Sequence, residues 1–379
     1  MRIAISVLSA VGYGGKTYFQ NIIPALARLD NENEYYIFIS KGHPLISSIV
    51  KSNFIFYECL GKNQSPAKRF FWEQFVFPRK IKKCKIDVLF TAKNLNVFFA
   101  PCKTIIAIRN TEPFRYREYK NNWKLDIISW IRWQLTKWSV RKAHRVIAVS
   151  QYVKDLLKER FPGIENKVEI AYNGNPVLQN PKSNVRTLNF ILTASKFVSY
   201  ANQLNLLRGY AEFLRRKPDA PSLWFAGDIH DKEYFRKTLY FVKRAGIESR
   251  VKFLGLIPQE QLLRLMRQAM AFVFPSTLEA CPHTLIEAMA CGVPIITSNF
   301  PPMPEICTDA AIYFNPKSPQ DIADKIEKTL ADKEARRHLS GAGLARVKFF
   351  TWDKTAEQLQ KIFTKTHYEN SSYNRQLLP

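Results

Sequence analysis

The sequence predicts an α/β protein built as two doubly wound parallel-sheet domains facing a cleft. Three observations carry this expectation. Short β-branched or aromatic runs alternate with longer amphipathic segments along most of the chain, the pattern of parallel strands covered by helices on both faces. The alternation breaks once, at Asn173-Gly174-Asn175-Pro176 and the polar, Pro-containing stretch 179–184, and restarts at Leu188. A length of 379 residues, 46% hydrophobic and 23% charged, suffices for two cores and excludes a disordered chain. The expected boundaries are a first domain over 1–172, a linker over 173–187, a second domain over 188–350, and a closing helix and tail over 351–379.

Residues 2–8 alternate and read as a first strand. The turn Val11-Gly12-Tyr13-Gly14-Gly15 follows, then a helical pattern over 16–29 in which Pro24 removes a hydrogen bond. A glycine turn between strand and helix lets a phosphate approach the backbone, although this one lacks the full dinucleotide fingerprint. Strands are expected at 35–40 and 54–57, a basic, aromatic, amphipathic segment at 69–85, and strands at 88–90 and 104–108. The stretch 125–143 reads as a long helix whose Trp130, Trp133 and Trp138 have the spacing of a core stripe. A strand at 144–150, a helix at 151–160 and a strand at 167–171 complete the first half. The second half reads as strand 188–193, helix 203–216, strand 222–226, helix 234–245, strand 251–254, helix 259–269 and strand 270–274. Thr351 caps a last helix reaching about Phe363.

The chain is organised around 275–297, PSTLEACPHTLIEAMACGVPIIT. It reads as a loop, a short helix capped by Thr284 and ended by Gly292, and a strand. In a parallel sheet such a loop lies at the carboxyl ends of the strands, where ligands bind. The N–H groups of His283 and Thr284 at the helix start suit a diphosphate, while Pro282 removes one donor. Glu279 and Glu287 frame the stretch with seven residues between them. Taken locally they have a second reading, as capping-box partners of Ser276 and Thr284, and residue types alone leave both readings open. His283 has no partner at metal-ligand spacing.

Glu279, Glu287, Ala288-Met289-Ala290 and Gly292-Val293-Pro294 stand in the register of a known signature. The segment resembles the donor-binding motif of retaining GT-B glycosyltransferases, family four (group 1 glycosyltransferases). Phe225-Ala226-Gly227-Asp228, Arg250–Gly255, Phe274-Pro275-Ser276, Pro304-Glu305 and Ala310-Ala311 fall where that family has similar runs. The resemblance implies the GT-B fold, two Rossmann-like domains, with the last helix crossing back to the first. It implies a metal-independent hexosyltransferase that moves a sugar with retention from a nucleotide-sugar, such as a UDP- or GDP-sugar, to an acceptor hydroxyl. No cofactor is expected beyond that substrate. By resemblance Glu287 holds the ribose, Glu279 is catalytic at the donor sugar, and Lys196 is a catalytic and donor-binding cation where the family has Arg. Gly14 and Gly15 face the diphosphate. Asn110 lies on the acceptor side, where Arg109-Asn110 replaces a usual His-Asp pair. Ala201 stands where the family has a second cation, Lys.

The net charge is +25, and residues 61–145 hold 20 Lys/Arg against 5 Asp/Glu, interleaved with aromatics. Such a face fits an anionic membrane surface. It suggests a lipid-linked glycan acceptor in bacterial surface polysaccharide or glycolipid assembly, with a cytoplasmic enzyme peripheral at the inner face of the cell membrane. Nucleic acid is the competing polyanion, but no RNA- or DNA-binding motif accompanies the charge. The six scattered cysteines form no Cys-x-x-Cys pair, which fits a reducing compartment without structural zinc. No signal peptide or membrane span is expected. Two further classes stay open: a donor-site-degenerate, non-catalytic protein that binds a membrane or polyanion, and a sugar-nucleotide epimerase on the same architecture.

Overall fold

The computed structural model describes residues 1–8, 13–43, 45, 49–61, 64–115, 118, 123–175 and 186–369. Gly12, most of the expected linker and the tail after Glu369 lie outside the described residues. The chain divides into two compact units, Met1–Gly174 with Thr351–Pro379, and Asn175–Phe350.

Unit one holds seven parallel strands: β1 (Arg2–Ser6), β2 (Glu34–Ile39), β3 (Phe54–Glu58), β4 (Val88–Thr91), β5 (Lys103–Ile108), β6 (Arg145–Ala148) and β7 (Val168–Ile170). Their order is β3-β2-β1-β4-β5-β6-β7. β4 and β6 are buried at every residue, as expected for strands covered on both faces. Unit two holds six: β8 (Phe190–Ala194), β9 (Ser222–Ala226), β10 (Val251–Gly255), β11 (Ala271–Phe274), β12 (Ile295–Ser298) and β13 (Ala311–Phe314), in the order β10-β9-β8-β11-β12-β13. Every strand pair is parallel. Both sheets are therefore doubly wound, and each reverses its strand order at one place: between β1 and β4, and between β8 and β11. Ligands of such sheets bind in the crevice outside the carboxyl ends at that reversal.

Several local expectations change. Gly14 and Gly15 do not form a turn; they lie in the first turn of helix Tyr13–Leu29, which runs through Pro24. The expected turn at Asn173–Asn175 is irregular chain. Gly174 is required by packing, since a β-carbon there would lie 2.5 Å from the Trp352 ring and backbone. Thr351 Oγ accepts from the Lys354 N–H and caps helix Trp352–Tyr368, five residues longer than expected. One apolar face of that helix (Trp352, Ala356, Leu359, Ile362, Phe363) completes the core of unit one.

The basic segment 69–85 is three pieces, helix Pro66–Phe71, a π-helical turn Trp72–Val76 and helix Phe77–Lys83. The tryptophans of helix Trp123–Lys142 do not form a core stripe. Trp133 packs on Phe114 and Phe161, but Trp130 is 50% and Trp138 54% exposed. Phe71 and Phe99 are each 61% exposed, and the rings Phe71–Phe75, Phe75–Phe99 and Phe98–Trp138 pack at 4.7, 5.6 and 4.7 Å. No helix among the described residues is long and apolar enough to cross a membrane.

Candidate functional site

In unit two, Lys196 follows β8 and Glu279 follows β11, so both leave the sheet at its reversal point. Backbone and buried polar side chains tie the two loops together. The Tyr200 carbonyl accepts from the Thr277 N–H at 2.8 Å and from its hydroxyl at 3.0 Å. Asn202, in the left-handed region at φ 61°, donates to the Pro275 carbonyl at 3.2 Å. The buried Gln203 amide donates to Ser195 Oγ and to the Lys196 carbonyl, both at 2.9 Å. Ser298 Oγ holds the Ser276 carbonyl at 2.5 Å from below. Gly227, at φ 149°, lets β9 approach: a β-carbon there would sit 1.9 Å from the Ser195 carbonyl oxygen. Lys196 itself is exposed, with its ammonium 5.3 Å from the Tyr200 ring centre.

Glu279 is half-buried in the loop after β11. Loss of water around it pushes its carboxyl up to about 7, against the opposing pull of the Ser276 hydroxyl and the nearby Lys196 ammonium. The expected capping pair of Glu279 and Ser276 is thus a side-chain contact in irregular chain, with no helix to cap.

The helix of the signature runs His283–Cys291, with its cap two residues earlier than the expected Thr284. Pro282 occupies the cap position and no side chain caps the end. This corrects the Thr284–Glu287 capping box. Pro282 keeps an extended backbone (φ −72°, ψ 101°), so the helix starts at His283 and Thr284 falls inside the first turn. Glu287 is only 7% exposed and accepts from Gln259 Nε2 at 2.8 Å. Burial pushes it up to about 7, partly offset by that hydrogen bond. A local cap leaves a carboxylate in water, whereas this one is drawn into the protein with one neutral partner. His283 and Thr284 are partly exposed at the helix start, where backbone N–H groups lack intrahelical acceptors. The structure thus brings Lys196 and Glu279 together and sets His283, Thr284 and Glu287 on the helix that follows. Gln259 and Gln203, which position this site, carried no signal in the sequence.

Unit one gathers its own set at the β1/β4 reversal. Asn94, after β4, accepts the N–H groups of Arg109 and Asn110 at 3.1 and 3.3 Å and donates to the Asn110 carbonyl at 2.7 Å. Arg109 lies 4.0 Å from the Tyr18 ring centre and donates to the Gly14 carbonyl at 3.1 Å, so Gly14, Gly15 and Asn110 share one neighbourhood. Asn110 Oδ1 accepts from the Glu112 N–H at 2.9 Å, and so serves the turn before Pro113. Ala201 is buried at 2% exposure and offers a methyl group where a second cation was sought. Among the described residues no cluster of His, Cys, Asp and Glu is placed to hold a metal ion.

Two Rossmann-like units with polar loops at the sheet reversals define a GT-B-type ligand-binding protein, and comparison with known proteins gives the family. The description "Glycosyltransferase Family 4" matches residues 13–176 and "Glycosyl transferases group 1" matches 178–346. Together these adjoining matches span nearly the whole chain: it belongs to the group 1 glycosyltransferases. O-antigen chain mannosyltransferase B of Escherichia coli is 35% identical over 117 residues, 31% of this chain and 31% of that protein. The chain thus spans about a third of the length of that curated relative. Sucrose-phosphate synthase from Thermosynechococcus elongatus has TM-score 0.73 and 18% identity over 96% of this chain and 98% of that one. Anabaena HepE in complex with UDP-glucose has TM-score 0.72 and 17% identity over 96% and 100%. These two likenesses establish the fold.

Proposed function

We propose that this glycosyltransferase moves a sugar, with retention, from a nucleotide-sugar to a hydroxyl of a lipid-linked glycan in bacterial surface polysaccharide or glycolipid assembly. The observation that carries the donor half is the placement of Lys196 and Glu279 at the carboxyl ends of β8 and β11, followed by the helix that buries Glu287. The leaving diphosphate gains negative charge in the transition state. Lys196 and the first-turn N–H groups at His283 and Thr284 are the groups to stabilise it, so the reading calls for no metal. Glu287 takes the ribose hydroxyls, and Glu279 takes a hydroxyl of the sugar being transferred. In unit one, the first-turn N–H groups at Gly14 and Gly15 suit the same phosphate chemistry. Asn110 offers its side-chain amide on the acceptor side. The UDP-glucose complex of HepE and the O-antigen role in the mannosyltransferase's name support this class of donor and acceptor.

Thermal unfolding with UDP, GDP and ADP tests the donor half. One nucleotide at a hundredfold excess over its dissociation constant is expected to stabilise the protein by about 2.7 kcal/mol. A flat midpoint with all three overturns the reading. It would favour the second one, a donor-site-degenerate protein, for which Ala201 in place of a cation is the specific observation. Retention is checked by the anomeric configuration of the product, and inversion would refute it.

The acceptor half rests on charge and on the exposed aromatics of unit one. Phe71, Phe75, Phe99, Trp130 and Trp138 are exposed, and the segment that carries Phe71 and Phe75 also carries Lys68, Arg69, Arg79, Lys80, Lys82 and Lys83, a combination suited to an anionic bilayer face. Such a site would lie on the cytoplasmic side of the membrane. Flotation with phosphatidylglycerol vesicles is expected to carry wild type but not a Phe71→Ser/Phe99→Ser/Trp138→Ser variant. Equal flotation on pure phosphatidylcholine would sink the idea.

A further inference from the structure

Unit two carries a groove that the proposed transfer leaves unused. It is an open groove of about 540 Å³ between helix Gln203–Arg216 and helix Lys232–Arg244. Arg236, Tyr240 and Arg244 are four residues apart and so share one stripe of their helix. Arg208 lines the groove from the other helix, one turn on from Leu204. Leu204 and Phe241 supply apolar surface, and Tyr240 stands 66% exposed among the arginines. The carboxylate in the lining, Glu233, is already engaged by Lys237 at 3.0 Å. Arg208 reaches the neutral Asn205 Oδ1 at 2.9 Å, and Arg236 the Lys232 carbonyl at 3.4 Å. Among the described residues, none of Arg208, Arg236 and Arg244 forms an ion pair with a carboxylate.

Helix Lys232–Arg244 carries five cationic residues to one acidic. A merely solvated face would scatter its cations on water. Here three arginines line one groove together with an exposed aromatic ring and a largely apolar surface. Cations at this density hold counterions until a multivalent anion replaces them. The guanidinium fork matches paired phosphate oxygens, which a carboxylate-poor groove leaves it to seek. The exposed ring takes a stacked base or an acyl chain. We propose that this groove binds a phosphate ester carrying an aromatic or acyl group, a second ligand site beside the donor site. Two sources share that chemistry: a free nucleotide and the headgroup of an anionic lipid.

The test uses the full chain carrying Glu287→Gln, which is expected to weaken nucleotide binding at the donor loop about 10–150-fold and leaves the same residual donor-loop binding in both variants compared. Arg236→Glu/Arg244→Glu in that background is compared with Lys328→Glu/Lys333→Glu, which makes the same charge change on other exposed positions of unit two. Both pairs are at the surface, and unfolding midpoints without ligand confirm the fold. The probes are uridine monophosphate, read by thermal shift, and phosphatidylcholine vesicles with and without phosphatidylglycerol, read by co-sedimentation. The expected result is at least a tenfold loss of affinity for one probe in the groove variant and not in the control. Loss in the nucleotide arm assigns a free phosphate ester; loss in the vesicle arm assigns a lipid headgroup. If groove variant and control behave alike in both arms, the proposal is overturned. The readout is binding, so that failure leaves the transfer reading intact.

Discussion

Replacing Glu279 by Gln is expected to lower the transfer rate about 10²–10³-fold while leaving nucleotide binding close to wild type, the size of effect seen when one preorganised polar group at a reacting centre is lost. The substitution keeps shape and can keep the contact with the Ser276 hydroxyl. It removes the charge, the one property placed beside Lys196 at the β8/β11 reversal. The pH profile distinguishes this from a packing defect. The Glu279 carboxyl is held up to about 7 in the free protein. A site that needs it ionised gains rate as pH rises through about 7; at saturating nucleotide-sugar, where Glu287 with its own carboxyl near 7 no longer limits binding, the residual rate of the Gln variant stays flat there. Steady-state rates between pH 5.5 and 8.5, with the nucleotide-sugar found by thermal shift, make the check. A variant within about threefold of wild type, or one that keeps the same pH profile, removes Glu279 from the chemistry.

The fold class was legible because parallel strands leave a plain trace. The inner ones are buried at every residue, so VLFT, FILTA and AFVF read as nearly continuous apolar runs, and the segments between them are long enough for a crossover helix. What the sequence hid depends on distant partners. Residue types left Glu287 open between a local cap for Thr284 and a binding group, because a residue three positions away is visible in sequence and Gln259 is not. Gly174 looked like a turn residue, but its reason is a tryptophan ring brought back by the last helix. Helix Trp123–Lys142 misled in another way. It has apolar and basic residues on all sides, so the tryptophan spacing alone suggested a stripe that the helix does not bury: Trp133 is half-buried, while Trp130 and Trp138 are exposed. The site resemblance was legible residue by residue, whereas the electrostatic state of the two glutamates came only from their surroundings.

Glu287 makes a prediction with two opposite signs. Replacing it by Gln is expected to weaken nucleotide binding about 10–150-fold, since hydrogen bonds to a charged group contribute about 1.5–3 kcal/mol. The same change is expected to stabilise the empty protein at neutral pH. Glu287 is buried, and its folded carboxyl is raised from 4.5 to about 7. Between those values the unfolded chain has released the proton and the folded one has not. Stability from this group is therefore full below about pH 4.5 and is lost as pH rises through about 7. The loss approaches about 3 kcal/mol, the free-energy equivalent of that difference in carboxyl affinity. Gln keeps the contact with Gln259 and does not titrate, so it avoids the loss. Glu279 contributes a slope of the same sign, but it is present in both proteins and cancels in the comparison. Denaturant unfolding of wild type and Glu287→Gln from pH 4.5 to 8 reads the difference directly. It is expected to open from near zero in favour of the variant as pH rises, while the nucleotide-induced shift falls away. A carboxylate kept at a cost to the empty fold, and needed once nucleotide arrives, is the pattern of a binding group. If the variant is less stable at every pH, Glu287 is a structural residue, and the donor reading loses its ribose contact.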